Sequence, residues 1–292
     1  MKRILLPLFA VALSASAFAD GLSINVPVVG RVTGGGNVLF LTSLDISNNA
    51  SSTVAVDFYF DGADAKTGEI VSVSGSIGSF GIVGRGGGSL AARTNAHFDD
   101  FVDAMVKANL LASTFRDDGV LGSALFVYNG YTKRGQGSVT ARFYNAFGGG
   151  NVGVSVKGHE IATNEPQKLV ATLRDSTGNG SASPVYPNLF INNTGLTPAG
   201  QPAPSSVTVQ VSAVSATTGQ PVGNTQTYTI GAGQVVNLSH AFQVLGVDTT
   251  KEDQISVTVT VTSGAAAIEG LVSQVDNVTK DGSAFEMSRA DF

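Results

Sequence analysis

Three kinds of side chain in this sequence have the chemistry to build a site: carboxylates in turn-rich stretches, a few histidines, and several tyrosines. Asp57, Asp61 and Asp64 stand in D-F-Y-F-D-G-A-D, and Asp276, Asn277 and Asp281 in D-N-V-T-K-D-G. No cofactor is expected, although such oxygen-rich sets could ligate Ca²⁺ by ligand type. Neither follows the twelve-residue EF-hand spacing, and Asx turns account for Asp276-Asn277 as well as a metal does. Tyr59, Tyr128, Tyr131 and Tyr144 read as exposed and could stack on sugars, although the chain has no Trp to build a carbohydrate platform.

The histidines are His97, His159 and His240. His159-Glu160 begins like a zinc motif, but Thr163 stands where H-E-x-x-H needs its second histidine. A cluster drawing on both halves of the chain would need long-range convergence, which the spacing does not announce. His97, beside Asp99 and Asp100, reads as a helix-start residue in a capping or dipole role rather than half of an acid–base pair. There is no G-x-S-x-G elbow. The glycine triplets Gly34–Gly36, Gly86–Gly88 and Gly148–Gly150 lack the strand–turn–helix context of a nucleotide loop and read as loose turns or bulges. Without cysteine, neither disulfides nor thiolate chemistry is available. Charged residues are 13% of the chain and the net charge is −5, so it carries no basic footprint for nucleic acid.

What must position any site is a β framework. In Ile255–Gly264, I-S-V-T-V-T-V-T-S-G, Ile255, Val257, Val259 and Val261 alternate with Ser256, Thr258, Thr260 and Thr262. One face is apolar and the other hydroxylic, the pattern of a half-buried strand. The same alternation recurs at Val54–Asp61, Ala124–Gly130, Val139–Asn145 and Val207–Val214. It places Val56, Phe58 and Phe60 in the core, with Asp57, Tyr59 and Asp61 on the solvent face. One helix is strongly written over Asn95–Thr114, capped by Thr94 or Asn95, with Phe98, Phe101, Val102, Met105 and Val106 as its apolar stripe. Its polar face is acidic, which suits a core plug better than an anionic membrane surface. A shorter helical turn fills the corresponding place at Leu238–Leu245, ended by Gly246.

The order strand, Asn-rich turn, strand, Gly turn, helical plug and two strands occurs twice, which predicts a tandem duplication. Residues 1–19 read as a secretory signal peptide: Lys2 and Arg3, an apolar Ile4–Leu13, and A-F-A before Asp20. Residues 20–160 form the first domain and 161–292 the second, with the linker in His159–Gln167. The fold class expected is all-β: two tandem antiparallel Ig-like β-sandwiches, each with a short helical insertion.

The series F-L-T-S-L-D-I-S-N-N, V-D-F-Y-F-D-G, D-D-F, L-F-V-Y-N-G and A-R-F-Y-N, with L-F-I-N-N-T-G and S-Q-V-D-N-V-T-K-D-G in the second half, resembles an uncharacterised tandem module of exported bacterial proteins. The resemblance spans most of the chain after residue 19. It implies paired Ig-like sandwiches and an exported compartment, secreted, periplasmic or at the cell surface, and it carries over no functional residues. The expectation is a non-enzymatic scaffold or adhesive module meeting a protein or glycan surface, with no transmembrane segment after signal cleavage. Sheet edges offer self-association. A glycan-binding protein, calcium-assisted, is the alternative. A secreted hydrolase whose acids converge from both domains is the second.

Overall fold

The computed structural model describes residues 21–33, 39–80, 89–145, 152–161, 165–200, 203, 205–276, 278 and 282–290. Residues 1–19, expected from sequence to be a signal peptide, lie outside them, as do the three glycine triplets, Asn277 and Asp281. The protein is mainly β, and its sheets are antiparallel.

In the first half the strands are β1 (Gly21–Thr33), β2 (Leu39–Asn48), β3 (Val54–Asp64), β4 (Ile70–Ser76), β5 (Ser89–Leu90) and β6 (Thr94–Phe98), followed by α1 (Phe101–Lys107) and α2 (Ser113–Asp118). Then come β7 (Val120–Asn129), β8 (Gly137–Asn145), β9 (Val152–Lys157) and β10 (His159–Glu160). They hydrogen-bond in the order β4–β3–β7–β1–β2–β8–β9, with β10 on β1, β5 on β3 and β6 on β2. The sheet folds over at β1. Its ladder with β7 slips between Val26 and Val29, at Pro27, which has no N–H to donate, and Arg31–Thr33 then pairs with β2. Side chains from both arms meet in one core, including Ile24, Leu44, Ile46, Phe58, Phe60, Phe126 and Val139.

The second half runs β11 (Lys168–Arg174), β12 (Val185–Asn193), β13 (Val207–Ser215), β14 (Gln226–Ile230), β15 (Val235–Leu238), α3 (Ala241–Val244), β16 (Gln254–Ser263), β17 (Ile268–Asp276), β18 (Gly282–Glu286) and β19 (Ser288–Arg289). One sheet is ordered β14–β13–β16–β11–β19 and the other β15–β12–β17–β18. Leu169, Val209, Val211, Val257 and Val259 of the first meet Leu189, Ile191, Leu238 and Val272 of the second in a shared core. The alternation holds over 255–260, where Ile255, Val257 and Val259 are fully buried and the intervening hydroxyls half-buried, and fades at Val261, which is half-buried, and Thr262, which is exposed.

The halves repeat in topology as well as in order. The pairs β1–β7, β1–β10, β2–β6, β2–β8, β3–β4, β3–β7 and β8–β9 recur as β11–β16, β11–β19, β12–β15, β12–β17, β13–β14, β13–β16 and β17–β18. Asn48 and Asn193 close equivalent corners. Asn48 Nδ2 donates to the carbonyls of Ser52, Leu90 and Ala91, and its Oδ1 accepts from Ala50 N–H. Asn193 Nδ2 donates to the carbonyls of Ser205 and Ile230, and its Oδ1 accepts from Gly195 N–H. Each amide satisfies backbone groups that bend away from the ladder, and each is buried. Asn48→Ala and Asn193→Ala should therefore destabilise alike, by about 2–3 kcal/mol each. Urea unfolding checks this, and a loss below about 0.5 kcal/mol in either would break the equivalence.

The helical insertion of the first half differs from the 95–114 expectation. Residues Thr94–Phe98 are strand β6, paired to Asn48–Leu44 of β2 with Ala96 and Phe98 buried. The ladder satisfies their backbone groups, and the period of two at Thr94, Ala96 and Phe98 wins over the helical spacing. The helix starts after Asp100, whose Oδ1 caps Asp103 N–H at 3.0 Å. It stops at Asn109, which is left-handed at φ 57°, and α2 resumes at Ser113. The apolar stripe does face the core: Phe101, Val102 and Met105 are fully buried. In the second half α3 is a single turn, followed by Gly246 at φ 67°.

The two halves also pack on one another. Val28 of β1, Phe190 of β12 and Leu271 of β17 form a buried cluster flanked by Leu121, Val156, Val235 and Ala284. The outer face of β1 and β7 therefore lies on the outer face of β12 and β17. This is why β1 and β12 are buried almost continuously over Leu22–Gly30 and Leu189–Asn193, on both faces and not on alternate residues.

Candidate functional site

The candidate site lies in that junction, and strand register builds it. Asn25 of β1 stands opposite His159 of β10, and Asn192 of β12 opposite Glu269 of β17. The two pairs face each other across the halves. Asn25 Nδ2 donates to Glu269 Oε2 at 2.7 Å and to Asn192 Oδ1 at 3.0 Å. Asn192 Nδ2 is in turn held by the Gln234 carbonyl at 3.0 Å. Glu165, from the segment between the halves, places Oε2 3.0 Å from His159 Nε2. Its backbone N–H donates to the Pro198 carbonyl, and its side chain is 1% exposed.

Charge is unevenly matched there. His159 is the cation of the group, and Glu165, Glu269 and Glu286 are the acids whose charges reach it. The hydrogen bond to Glu165 holds the imidazolium, raising His159 to about 9 against the cost of its burial. Burial dominates at Glu269 and pushes its carboxyl up to about 7, opposed by His159 and Asn25. Glu269 Oε1 is the buried side-chain polar atom that, among the described residues, has no hydrogen-bond partner. His159, Glu165 and Glu269 each present a ligand-type atom, and these atoms lie within 4.8 Å of one another. Among the described residues theirs is the one such trio of His, Asp or Glu. The arrangement can hold a proton on the imidazole or a cation between nitrogen and carboxylate oxygens.

The residues singled out from sequence are placed differently. Asp57 and Asp61 share one face of β3 and Asp64 the opposite one. Asp57 accepts from Asn129 Nδ2 at 2.8 Å. Asp61 is half-buried by the second half, where a Cβ added to Gly233 would stand 2.2 Å from its own Cβ, and burial raises its carboxyl. Asp64 Oδ1 accepts from Lys66 and Thr67 N–H in an Asx turn, and the Thr67 bond leads in holding its carboxyl low. Asp276 ends β17, bonded to Ser183 Oγ and Val278 N–H.

Tyr128 and Tyr131 are core residues and not an exposed platform. Tyr128 is fully buried and donates its hydroxyl to the Ser47 and Ser138 carbonyls, and Tyr131 is bonded to Asn48 and Ser52. Tyr59 and Tyr144 are partly exposed. His97 is on strand β6 rather than at a helix start, between Asp45 Oδ1 at 2.8 Å and Asp99 Oδ1 at 3.0 Å. His240 stacks on Tyr186. A surface groove lined by Arg31, Thr33, Leu39, Arg116, Asp117 and Gly119 is remote in sequence from the junction acids.

No family model matches the chain, and no curated protein sequence matches it. Among the described residues no helix is long and apolar enough to cross a membrane. The junction cluster had two weak signals in the sequence. Glu269 is a lone charge in the apolar run A-A-A-I-E-G-L-V, and Asn25 interrupts S-I-N-V-P-V-V. Neither signal names its partner, because register and the docking of the two halves bring them together.

Proposed function

We propose that this chain is an exported, non-enzymatic scaffold of the bacterial cell envelope or extracellular space, made of two tandem Ig-like β-sandwiches that act as one rigid unit. The observation that carries the reading is the junction. Val28, Phe190 and Leu271 bury apolar surface between the halves, and Ser123 Oγ donates to the Gly233 carbonyl at 2.6 Å beside the Asn25–Asn192–Glu269 hydrogen bonds. Halves joined this way move as a spacer and not as beads on a linker. The pairing of the second strand with the fifth (β12–β15) and the third with the sixth (β13–β16) supports the Ig likeness in general architecture. The pairing of the first strand with the sixth (β11–β16) and the seventh with the second (β17–β12) sets this module apart from the constant-type order. Contacts with protein or glycan surfaces fall to the hydroxyl face of β13 and β16 and to edge strands such as β14, where strand addition between copies is available.

Because the chain has no cysteine, Ala65→Cys and Ala216→Cys, both exposed and one in each half, allow specific spin labelling. A rigid unit should give one narrow inter-label distance distribution by pulsed electron resonance. A broad distribution, as wide as that of a flexible tether, overturns the spacer. Fractionation of expressing bacteria tests the compartment, and full-length chain retained in the cytoplasm overturns export.

A further inference from the structure

We propose that His159, Glu165 and Glu269 form a binding site for one divalent transition-metal ion, of the Zn²⁺, Co²⁺ or Mn²⁺ class, that staples the two halves together. The three come from different places: His159 from β10 of the first half, Glu165 from the connecting segment, and Glu269 from β17 of the second. His159 Nε2 and Glu165 Oε2, 3.0 Å apart, already stand at the separation of two ligands on one ion, about 3.0–3.4 Å for bonds of about 2.1 Å. Glu269 brings its carboxylate to within 4.8 Å of both. Its Oε2 is held by Asn25, itself oriented by Asn192, the kind of outer hydrogen bond that aims a metal ligand. Its Oε1 is buried without a partner, the atom in the junction that calls for a cation. One imidazole with two carboxylates suits a transition metal, with solvent completing the shell, whereas Ca²⁺ prefers six to eight oxygens.

The site stands independently of the scaffold reading. A metal staple is compatible with any role for the module, and its test does not read rigidity or compartment. EDTA-treated protein is titrated by calorimetry with Zn²⁺, Mn²⁺ and Ca²⁺, and with Co²⁺ while its visible absorption is followed. One Zn²⁺ or Co²⁺ per chain is expected, with Co²⁺ showing d–d bands of nitrogen–oxygen coordination. Binding should release protons at pH 7, read from two buffers of different ionisation enthalpy, because imidazole and carboxylate ligate only in their deprotonated forms. The unfolding temperature should rise with metal concentration. Glu269→Gln keeps the side-chain volume and should weaken binding at least 10–100-fold, the loss found when ligand-shell groups are removed. His159→Gln, made in parallel, should do the same, and circular dichroism of both confirms the fold before titration. Absence of Zn²⁺ and Co²⁺ binding in the folded wild type overturns the site. So does affinity unchanged in both variants, or binding of Ca²⁺ in preference to Zn²⁺.

Discussion

Phe101→Ala should lower the stability of the first half by about 3–5 kcal/mol, the cost of removing a fully buried phenylalanine ring. Phe101 has no exposed surface, and its ring lies 5.4 Å from Phe58, 5.4 Å from Phe98, 5.5 Å from Phe80 and 5.9 Å from Phe126, the Phe58 and Phe98 contacts being edge-on. Edge-on pairs add to plain area burial, so the loss belongs at the upper part of that range. Differential scanning calorimetry should show the midpoint falling by roughly 10 °C or more. The result also separates two roles for α1. A helix held in reserve for a partner or a lipid surface would tolerate the change within about 0.5 kcal/mol, as exposed positions do. A shift that small would remove α1 from the core and reopen its use as a docking element.

That plug shows how far the sequence could be read. The residues were legible: Phe98, Phe101, Val102 and Met105 are buried as their spacing requires. The element was only partly so, because Thr94–Phe98 satisfies a strand period and a helix stripe at once. Pairing with β2, a contact about fifty residues distant, decides between them. β3 over Val54–Phe60 and β16 over Ile255–Thr260 were legible, since period-two alternation depends only on one face being covered. Asp61 shows the limit of the same rule. Alternation places it away from the core, but the second half then covers that outer face. Tyr128 shows it differently. A phenol is as compatible with a wet face as with a buried hydroxyl bonded to two carbonyls, and only the observed register distinguishes them. The junction cluster was the least legible. His159 and Glu165 sit in a stretch that reads as a linker, and Glu269 lies more than one hundred residues away. Their meeting is a property of the docked halves and leaves no local motif.

The junction makes the metal-free protein lose stability as pH rises, and the signs can be worked out group by group. Glu269 has its carboxyl raised by burial from 4.5 to about 7. The folded state therefore holds its proton more tightly than the unfolded chain does, and ionisation between about pH 4.5 and 7 costs stability. At about 1.4 kcal/mol per unit, the loss is on the order of 3 kcal/mol. His159, raised from 6.5 to about 9 by Glu165 first, contributes stability that is complete below pH 6.5 and lost as pH climbs through 9. His97, raised by its bonds to Asp45 and then Asp99, acts in the same direction, but it is half exposed and screened by solvent. Below about pH 4 the sign reverses. Asp64, Asp103 and Asp248, all held low by hydrogen bonds, lose their stabilising charge as they protonate. Urea unfolding of EDTA-treated protein should thus show maximal stability near pH 4–4.5 and a decline from there to pH 9. Glu269→Gln, which cannot ionise, should remove most of the decline between pH 4.5 and 7, leaving the part due to Asp61, whose carboxyl burial also raises, and the His159 limb between 6.5 and 9. The variant should consequently exceed the wild type above pH 7, an order reversed from the usual loss on altering a buried polar residue. Parallel curves for the two proteins across pH 4.5–7 would mean that Glu269 titrates as an ordinary carboxylate. Its burial against Asn25, and with it the electrostatic account of the junction, would then be wrong.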